Sequence, residues 1–180
     1  MNTDIIKILI LISILPAVLV APVEAAGDLI LSIEPDTTTV DVSSDFSVSF
    51  YAGNDTRDLM GYNVVFSFDP DYLELISVEE GSLPADSGEE TFFHYSFDSG
   101  TTVEVNGAVL GAVVQTPGCI FTVNFKALDK GSTSLNIEES DLRDDENTQI
   151  QHSGEGATVI IFPEIDAEKS SWGKVKSVFK

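Results

Sequence analysis

The sequence predicts an all-β fold, a sandwich or a barrel of about nine strands. Residues 62–68 and 119–127 alternate between apolar and polar side chains except at Val65 and Ile120, and this period of two marks a half-buried strand. Turn-forming residues recur at short intervals, and the stretch 29–162 contains no convincing helical pattern. Many short strands separated by frequent turns are typical of sandwiches and barrels.

Each predicted strand is an apolar or alternating run bounded by turn residues. Pro35 ends the first strand, because proline has no N–H group for a ladder. Asp69-Pro70-Asp71 separates the third strand from the fourth. Gly107 and Gly111 interrupt a long β-prone stretch and predict a bulge or a bend. The nine predicted strands cover residues 29–33, 46–51, 62–68, 72–78, 92–97, 103–114, 120–127, 134–137 and 157–162.

The alternation assigns side chains to the two faces of these strands. In the third strand, the residues predicted to point inward are Tyr62, Val64, Phe66 and Phe68, and those predicted to point outward are Asn63, Val65 and Ser67. The same pattern turns Cys119 inward, where it would serve as a small buried hydrophobe. Since it is the single cysteine of the chain, no intramolecular disulfide can form.

The two ends of the chain differ in composition from its body. Residues 5–21 are almost wholly apolar, and small residues at Val23 and Ala25 fit a signal-peptidase site, so residues 1–25 are predicted to be a signal peptide. The alternative is an uncleaved membrane anchor, although the apolar run is short for a span and Pro16 interrupts it. Residues 26–162 are expected to form one domain with a sizeable core. Residues 163–180 are predicted to be a linker with a short basic tail, which either is poorly ordered or serves as a docking or export segment.

The chain is strongly acidic, with a formal net charge of −21. Four of its nine basic residues lie in the tail, so the body carries few cations. Such a surface repels nucleic acid and anionic membranes, and we expect neither as a partner. The charge either solvates the protein or attracts cationic partners, and solvation is the simpler interpretation.

Four segments, in the same order, resemble the cohesin family. The first carries a glycine, an alternating strand, an aromatic-Asp-Pro turn, a Leu-Glu pair and a closing glycine, here Gly61, Phe68-Asp69-Pro70, Leu73-Glu74 and Gly81. The second is residues 118–127, the third runs from Ile137 through Asp144 to Ile150, and the fourth is Gly156 with the apolar strand after it. The resemblance implies a nine-stranded β-sandwich with jelly-roll topology that spans most of the chain.

The resemblance also implies a function and a site. Cohesins bind dockerin modules through one face of the sandwich, and dockerins need calcium whereas the main type of cohesin does not. A polar outward residue on the strand before Asp-Pro contacts the dockerin, which here corresponds to Asn63, with Val65 and Ser67 on the same face. By parity, His94 and Glu104 are predicted to lie on neighbouring strands of that face. The alternative for Asn63 is an ordinary polar surface residue.

Catalysis is not expected. The chain has two histidines outside any metal-binding pattern, and it lacks a nucleophile elbow or a phosphate-binding loop. The acidic run 138–147 has the oxygen ligands that Ca²⁺ prefers, but its spacing is not that of an EF-hand, and a solvated acidic loop is favoured. We therefore predict no metal, no cofactor and no catalytic residue.

The leading hypothesis is a secreted, non-catalytic module that binds a dockerin-like partner in extracellular polysaccharide degradation or cell-surface assembly. One alternative is direct carbohydrate binding, for which Tyr51, Phe92 and Tyr72 are the candidate stacking residues. A second alternative is a structural surface or adhesion protein, with Trp172 in the docking tail. The expected location is extracellular or the cell surface.

Overall fold

The computed structural model describes residues 29–98 and 100–163, and these form a β-sandwich of two packed sheets. The predicted signal peptide and basic tail lie outside the described residues. Thirteen strands and one short helix, α1 (Ser82–Ala85), follow one another along this part of the chain. The strands are β1 (Leu29–Glu34), β2 (Thr37–Asp41), β3 (Asp45–Gly53), β4 (Asp58–Leu59), β5 (Gly61–Ser67), β6 (Leu73–Glu80), β7 (Thr91–Asp98), β8 (Thr102–Val109), β9 (Val114–Gln115), β10 (Gly118–Ala127), β11 (Gly131–Arg143), β12 (His152–Glu155) and β13 (Ala157–Phe162).

One sheet has five strands in the order β12-β1-β3-β10-β6, and the other has six in the order β2-β13-β11-β5-β8-β7. The two-residue strands β4 and β9 form a separate ribbon. Within the two main sheets, the pairs β1–β12 and β2–β13 are parallel, and the other pairs are antiparallel. The all-β sandwich predicted from the sequence is confirmed.

The predicted count of nine strands is not exact. All nine predicted strands are present, and the four additional ones are β2, β4, β9 and β12, none longer than five residues. Two of them arise where the chain crosses between sheets. Around Pro35 it passes from β1 in the five-stranded sheet to β2 in the six-stranded sheet, and around Gly156 it passes from β12 to β13 in the same sense.

The core between the sheets is rich in stacked aromatic rings. The four residues predicted to face inward, three on β5 and Phe68 directly after it, are at most 6% exposed, which confirms that assignment. Phe50 and Phe121 from the five-stranded sheet stack with their ring centroids 4.2 Å apart, and Phe66 from β5 packs on Phe50 at 4.8 Å. This cluster joins the two sheets at the middle of the sandwich.

The inward prediction for Cys119 is wrong. A bulge in β10 between Cys119 and Phe121 makes Ile120 and Phe121 consecutive buried residues and shifts the alternation by one. Cys119 therefore lies opposite Tyr51, is half-buried, and has its Sγ 3.4 Å from the carbonyl oxygen of Phe121.

Of the two glycines that predict a bulge or a bend, Gly111 lies in a bend after β8 with a φ of 84°, whereas β8 keeps one register with β5 through Gly107. Gly107 lies opposite Tyr62, and a Cβ atom there would overlap the tyrosine ring. The glycine thus makes room for Tyr62, whose hydroxyl donates a 2.9 Å hydrogen bond across the sandwich to the carbonyl oxygen of Ile120.

Burial of Tyr62 gives the fold a measurable pH dependence. Desolvation, with a smaller contribution from Glu80, raises the pKa of Tyr62 far above its ordinary value. Above about pH 10 the unfolded chain releases the Tyr62 proton while the folded chain keeps it. The free energy of unfolding should therefore fall as the pH rises. This fall should be steeper in the native chain than in Tyr62→Phe, by up to about 1.4 kcal/mol per pH unit.

Denaturant titrations between about pH 9 and pH 12 measure this difference in slope. Tyr51→Phe, on the outer face of the five-stranded sheet, is the matched control and should keep the steep slope of the native chain. Equal slopes for the native chain and Tyr62→Phe would show that Tyr62 is not buried in its neutral form.

Candidate functional site

Strand β5 lies inside the six-stranded sheet, between β11 and β8, and it carries the predicted outward residues. Asn63, Val65 and Ser67 are half-exposed and point away from the core, as the alternation predicts. Because β5 is paired on both sides, these side chains are held on a backbone that is fixed by two ladders.

The neighbouring strands bring His94 and Glu104 to the same face. Glu104 on β8 lies directly opposite Val65, and Asn106 lies opposite Asn63. His94 on β7 pairs with Asn106 from the other side. Directly opposite residues of an antiparallel pair share a face, so the structure brings all five predicted site residues together on one surface. We call this surface the polar face, and it comprises Asn63, Val65, Ser67, His94, Glu104, Asn106, Glu138 and Glu139.

A hydrogen-bond network fixes the centre of the polar face. The side-chain amide of Asn63 donates to Glu104 Oε1 and to Asn106 Oδ1, both at 2.7 Å, and Asn106 Nδ2 donates to Glu104 at 3.3 Å. Nothing within 29–98 and 100–163 donates to Asn63 Oδ1. Its two donors are thus engaged within the sheet, and its carbonyl oxygen is left to accept a hydrogen bond from a partner.

Three residues of the polar face were not predicted from the sequence. Asn106 lies two residues after Glu104 on β8, so the alternation of the strand already predicts that it lies on the same face. Glu138 and Glu139 lie on β11 at a register shift, which leaves both exposed on consecutive positions. Glu138 Oε1 accepts a 2.5 Å hydrogen bond from the hydroxyl of Ser67, and Glu139 lies opposite Val65.

The acidic run 138–147 is not the solvated loop that the sequence favours. Residues 138–143 belong to β11, and only the remainder forms a turn, in which Asp144 Oδ1 accepts from the backbone N–H groups of Glu146 and Thr148. Asp141 forms a 2.9 Å ion pair with Arg143. In the described part of the chain, no three His, Cys, Asp or Glu side chains come together in a way that could hold a metal ion.

The polar face is acidic and open. Glu104, Glu138 and Glu139 are exposed, and the ion pairs among the described residues involve other carboxylates, those of Asp55 and Asp141. Open depressions of about 380, 500 and 470 Å³ lie along the outer surface of this sheet, lined in part by Val65, by Asn63 and by Ser67 respectively. These depressions are open rather than enclosing, so this acidic surface with its polar groups suits a protein partner better than a small molecule, which needs a concave pocket that surrounds it.

The candidate stacking residues for sugars do not form a row. Tyr51 lies on the outer side of the five-stranded sheet, whereas Phe92, 50% exposed, lies beside the polar face on β7. Tyr72 packs against the core. The three rings therefore cannot form one flat platform for a polysaccharide.

The family model for the cohesin domain matches residues 31–160, nearly all of the sandwich. This chain belongs to the cohesin family. Cohesin domains are binding modules without catalytic activity. No curated protein matches the chain.

Solved cohesins share the fold at low sequence identity. The non-cellulosomal cohesin of the hyperthermophilic archaeon Archaeoglobus fulgidus is 18% identical, with a TM-score of 0.65 over 81% of this chain and 99% of that one. The sixth cohesin of scaffoldin B from Acetivibrio cellulolyticus, solved in complex with a mutant Cel5 dockerin, is 18% identical, with a TM-score of 0.64 over 76% of this chain and 100% of that one. The cohesin module of a family 33 glycoside hydrolase from Clostridium perfringens is 14% identical, with a TM-score of 0.59 over 77% of this chain and 98% of that one.

The part of this cohesin that the structure describes contains one four-residue helix, and no helix there is long and apolar enough to cross a membrane.

Proposed function

We propose that this cohesin is an extracellular, non-catalytic binding module whose partner is a dockerin-like module docked on the polar face. The single observation that carries the proposal is the convergence of Asn63, Val65, Ser67, His94 and Glu104 on three adjacent strands of one sheet. These are the residues that the resemblance to cohesins and the strand parity select, and several solved cohesins with the same fold are in complex with dockerins.

The polar face is suited to binding without rearrangement. Asn63, Glu104 and Asn106 are already hydrogen-bonded to one another, so ordering them costs little side-chain entropy when a partner arrives. Asn63 Oδ1 offers an acceptor at the centre, and Val65 offers an apolar contact beside it. A preformed surface of this kind favours rigid-body association with small backbone changes.

The charge of the polar face sets the chemistry of the partner. Exposed carboxylates at Glu104, Glu138 and Glu139 favour a partner surface with Lys or Arg side chains, and salt should slow association. Any calcium dependence is expected to come from the dockerin-like partner.

Titration with the dockerin modules encoded by the same genome tests the proposal. In isothermal calorimetry with calcium present, at least one dockerin should bind with one-to-one stoichiometry, and chelation of calcium should abolish the binding. Raising the salt concentration from about 0.05 M to about 0.5 M should weaken it. If no dockerin binds, with or without calcium, the proposal is wrong.

A further inference from the structure

Each main sheet ends in two edge strands, and three of the four have features that discourage pairing with another chain. Strand β6 carries the exposed carboxylates of Glu74 and Glu79 and a register shift. Strands β2 and β12 are only five and four residues long. Short strands, charges and bulges are the usual protection of sheet edges.

Along residues 91–97, strand β7 has none of these protections. It is eight residues long, contains no proline or lysine, and pairs with β8 without a register shift. Its residues 91–97 carry no carboxylate, whereas carboxylates are abundant elsewhere in the chain. A long, regular and uncharged edge is a template for a further strand.

The backbone groups that such a strand would use can be identified. The N–H of Leu110 donates to the carbonyl oxygen of Glu90, and antiparallel ladders alternate, so the even-numbered residues of β7 bond to β8. The N–H and C=O groups of Phe93, Tyr95 and Phe97 therefore point away from β8. No described strand pairs with them.

The side chains around this edge are apolar on both sides. Tyr95 and Phe97, on the inner side, are 38% and 41% exposed, and Phe97 has an aromatic contact with Phe68 at 5.7 Å. Phe92 on the outer side is 50% exposed, and Leu110 is 49% exposed. Four of the seven exposed large hydrophobic residues of the described chain thus lie on β7 or beside it.

We propose that β7 pairs antiparallel with β7 of a second copy of this chain, about a two-fold axis through Tyr95. In this register Phe93 lies opposite Phe97 of the other copy, and His94 lies opposite its Ser96. This register pairs the free backbone groups of Phe93, Tyr95 and Phe97 with the same groups of the other copy. The uncharged stretch of β7 matches its own copy in length and composition, and a cationic partner would find no carboxylate on residues 91–97.

Pairing would join two six-stranded sheets into one and place two polar faces side by side. A cohesin dimer of this kind would present two binding surfaces to a multivalent partner. The dimer does not depend on the proposed dockerin binding, since the edge uses backbone groups of the odd-numbered residues of β7, whereas the polar face uses outward side chains, of which only that of His94 lies on β7.

Sedimentation equilibrium of the chain from about 5 to about 500 µM tests the pairing, because interfaces of limited area associate weakly. The mean mass should rise toward twice that of one chain, and the rise should be larger in ~0.5 M than in ~0.05 M salt, since salt screens the repulsion between two acidic copies. A single-chain mass under all conditions would overturn the proposal.

Two variants locate the interface. Tyr95→Lys places a charge on the edge and should abolish the rise in mass. The matched control Ile76→Lys introduces the same charge at a 50% exposed residue of β6 and should leave the rise intact. Association that survives Tyr95→Lys would contradict the proposal.

Amide hydrogen exchange of the native chain gives a second readout that needs no variant. The amides of Phe93, Tyr95 and Phe97 should exchange more slowly as concentration rises, while those of His94 and Ser96, already bonded to β8, should not change. Protection of the odd-numbered amides that is independent of concentration would mean that a segment of the same chain covers β7, and would overturn the dimer.

Discussion

Phe121→Ala should destabilise the sandwich by about 3–5 kcal/mol. Its ring is fully buried and lies 4.2 Å from that of Phe50, 6.0 Å from that of Tyr62 and 6.3 Å from that of Phe66, measured between centroids. Truncation would remove the central ring of a cluster that joins both sheets and leave a cavity that rigid strands cannot close. Since domains of this size have a total stability of about 5–15 kcal/mol, the variant should be largely unfolded under mild denaturing conditions.

Denaturant titration followed by fluorescence or circular dichroism measures this loss. Phe92→Ala is the matched control, because the same atoms are removed from a ring that is 50% exposed on the sheet edge. It should cost no more than about 1 kcal/mol. Equal losses for the two variants would contradict the placement of Phe121 at the centre of the core.

Val65→Lys should weaken dockerin binding by about 100-fold or more while the fold stays intact. Val65 lies between Glu104 on β8 and Glu139 on β11, at the centre of the polar face. A lysine there adds bulk where the partner must approach and offsets the carboxylates that favour a basic partner. The introduced lysine would lie between the carboxylates of Glu104 and Glu139, so the free energy of unfolding should change little.

Calorimetric titration of the variant with the dockerin that binds the native chain measures this effect. Ser49→Lys makes a comparable change on β3, on the outer side of the five-stranded sheet, and should leave the affinity within about two-fold. An unchanged affinity for Val65→Lys would remove the polar face from the interface.

The sequence predicts most of the sandwich because its strands are buried on one side. On β5 the inward residues are apolar and two of the three predicted outward residues, Asn63 and Ser67, are polar, so the period of two assigns the faces correctly. The same parity places His94 and Glu104 on the polar face, because β7 and β8 run without a register shift.

The incorrect predictions have a common physical cause. The local alternation of residues does not show how a strand pairs with strands that are distant in the sequence. The bulges in β10 and β11 depend on the pairing of these strands with β3 and β5. The bulge in β10 turns Cys119 away from the core, and the one in β11 exposes both Glu138 and Glu139, which local alternation does not predict. The short strands β2 and β12 form through parallel pairing with partners far away in the sequence. Gly107 shows the same limit, since its role depends on Tyr62 across the ladder.

The polar face is the proposed docking surface, and a hydrogen-exchange or NMR footprint of the dockerin complex is the decisive test of that placement. Binding should protect or shift the signals of Asn63, Val65 and Ser67 on β5, with those of Glu104 on β8. The outer residues of β3 and β10, including Ser49 and Thr122, should be unaffected. A footprint centred on the five-stranded sheet would show that the dockerin docks elsewhere.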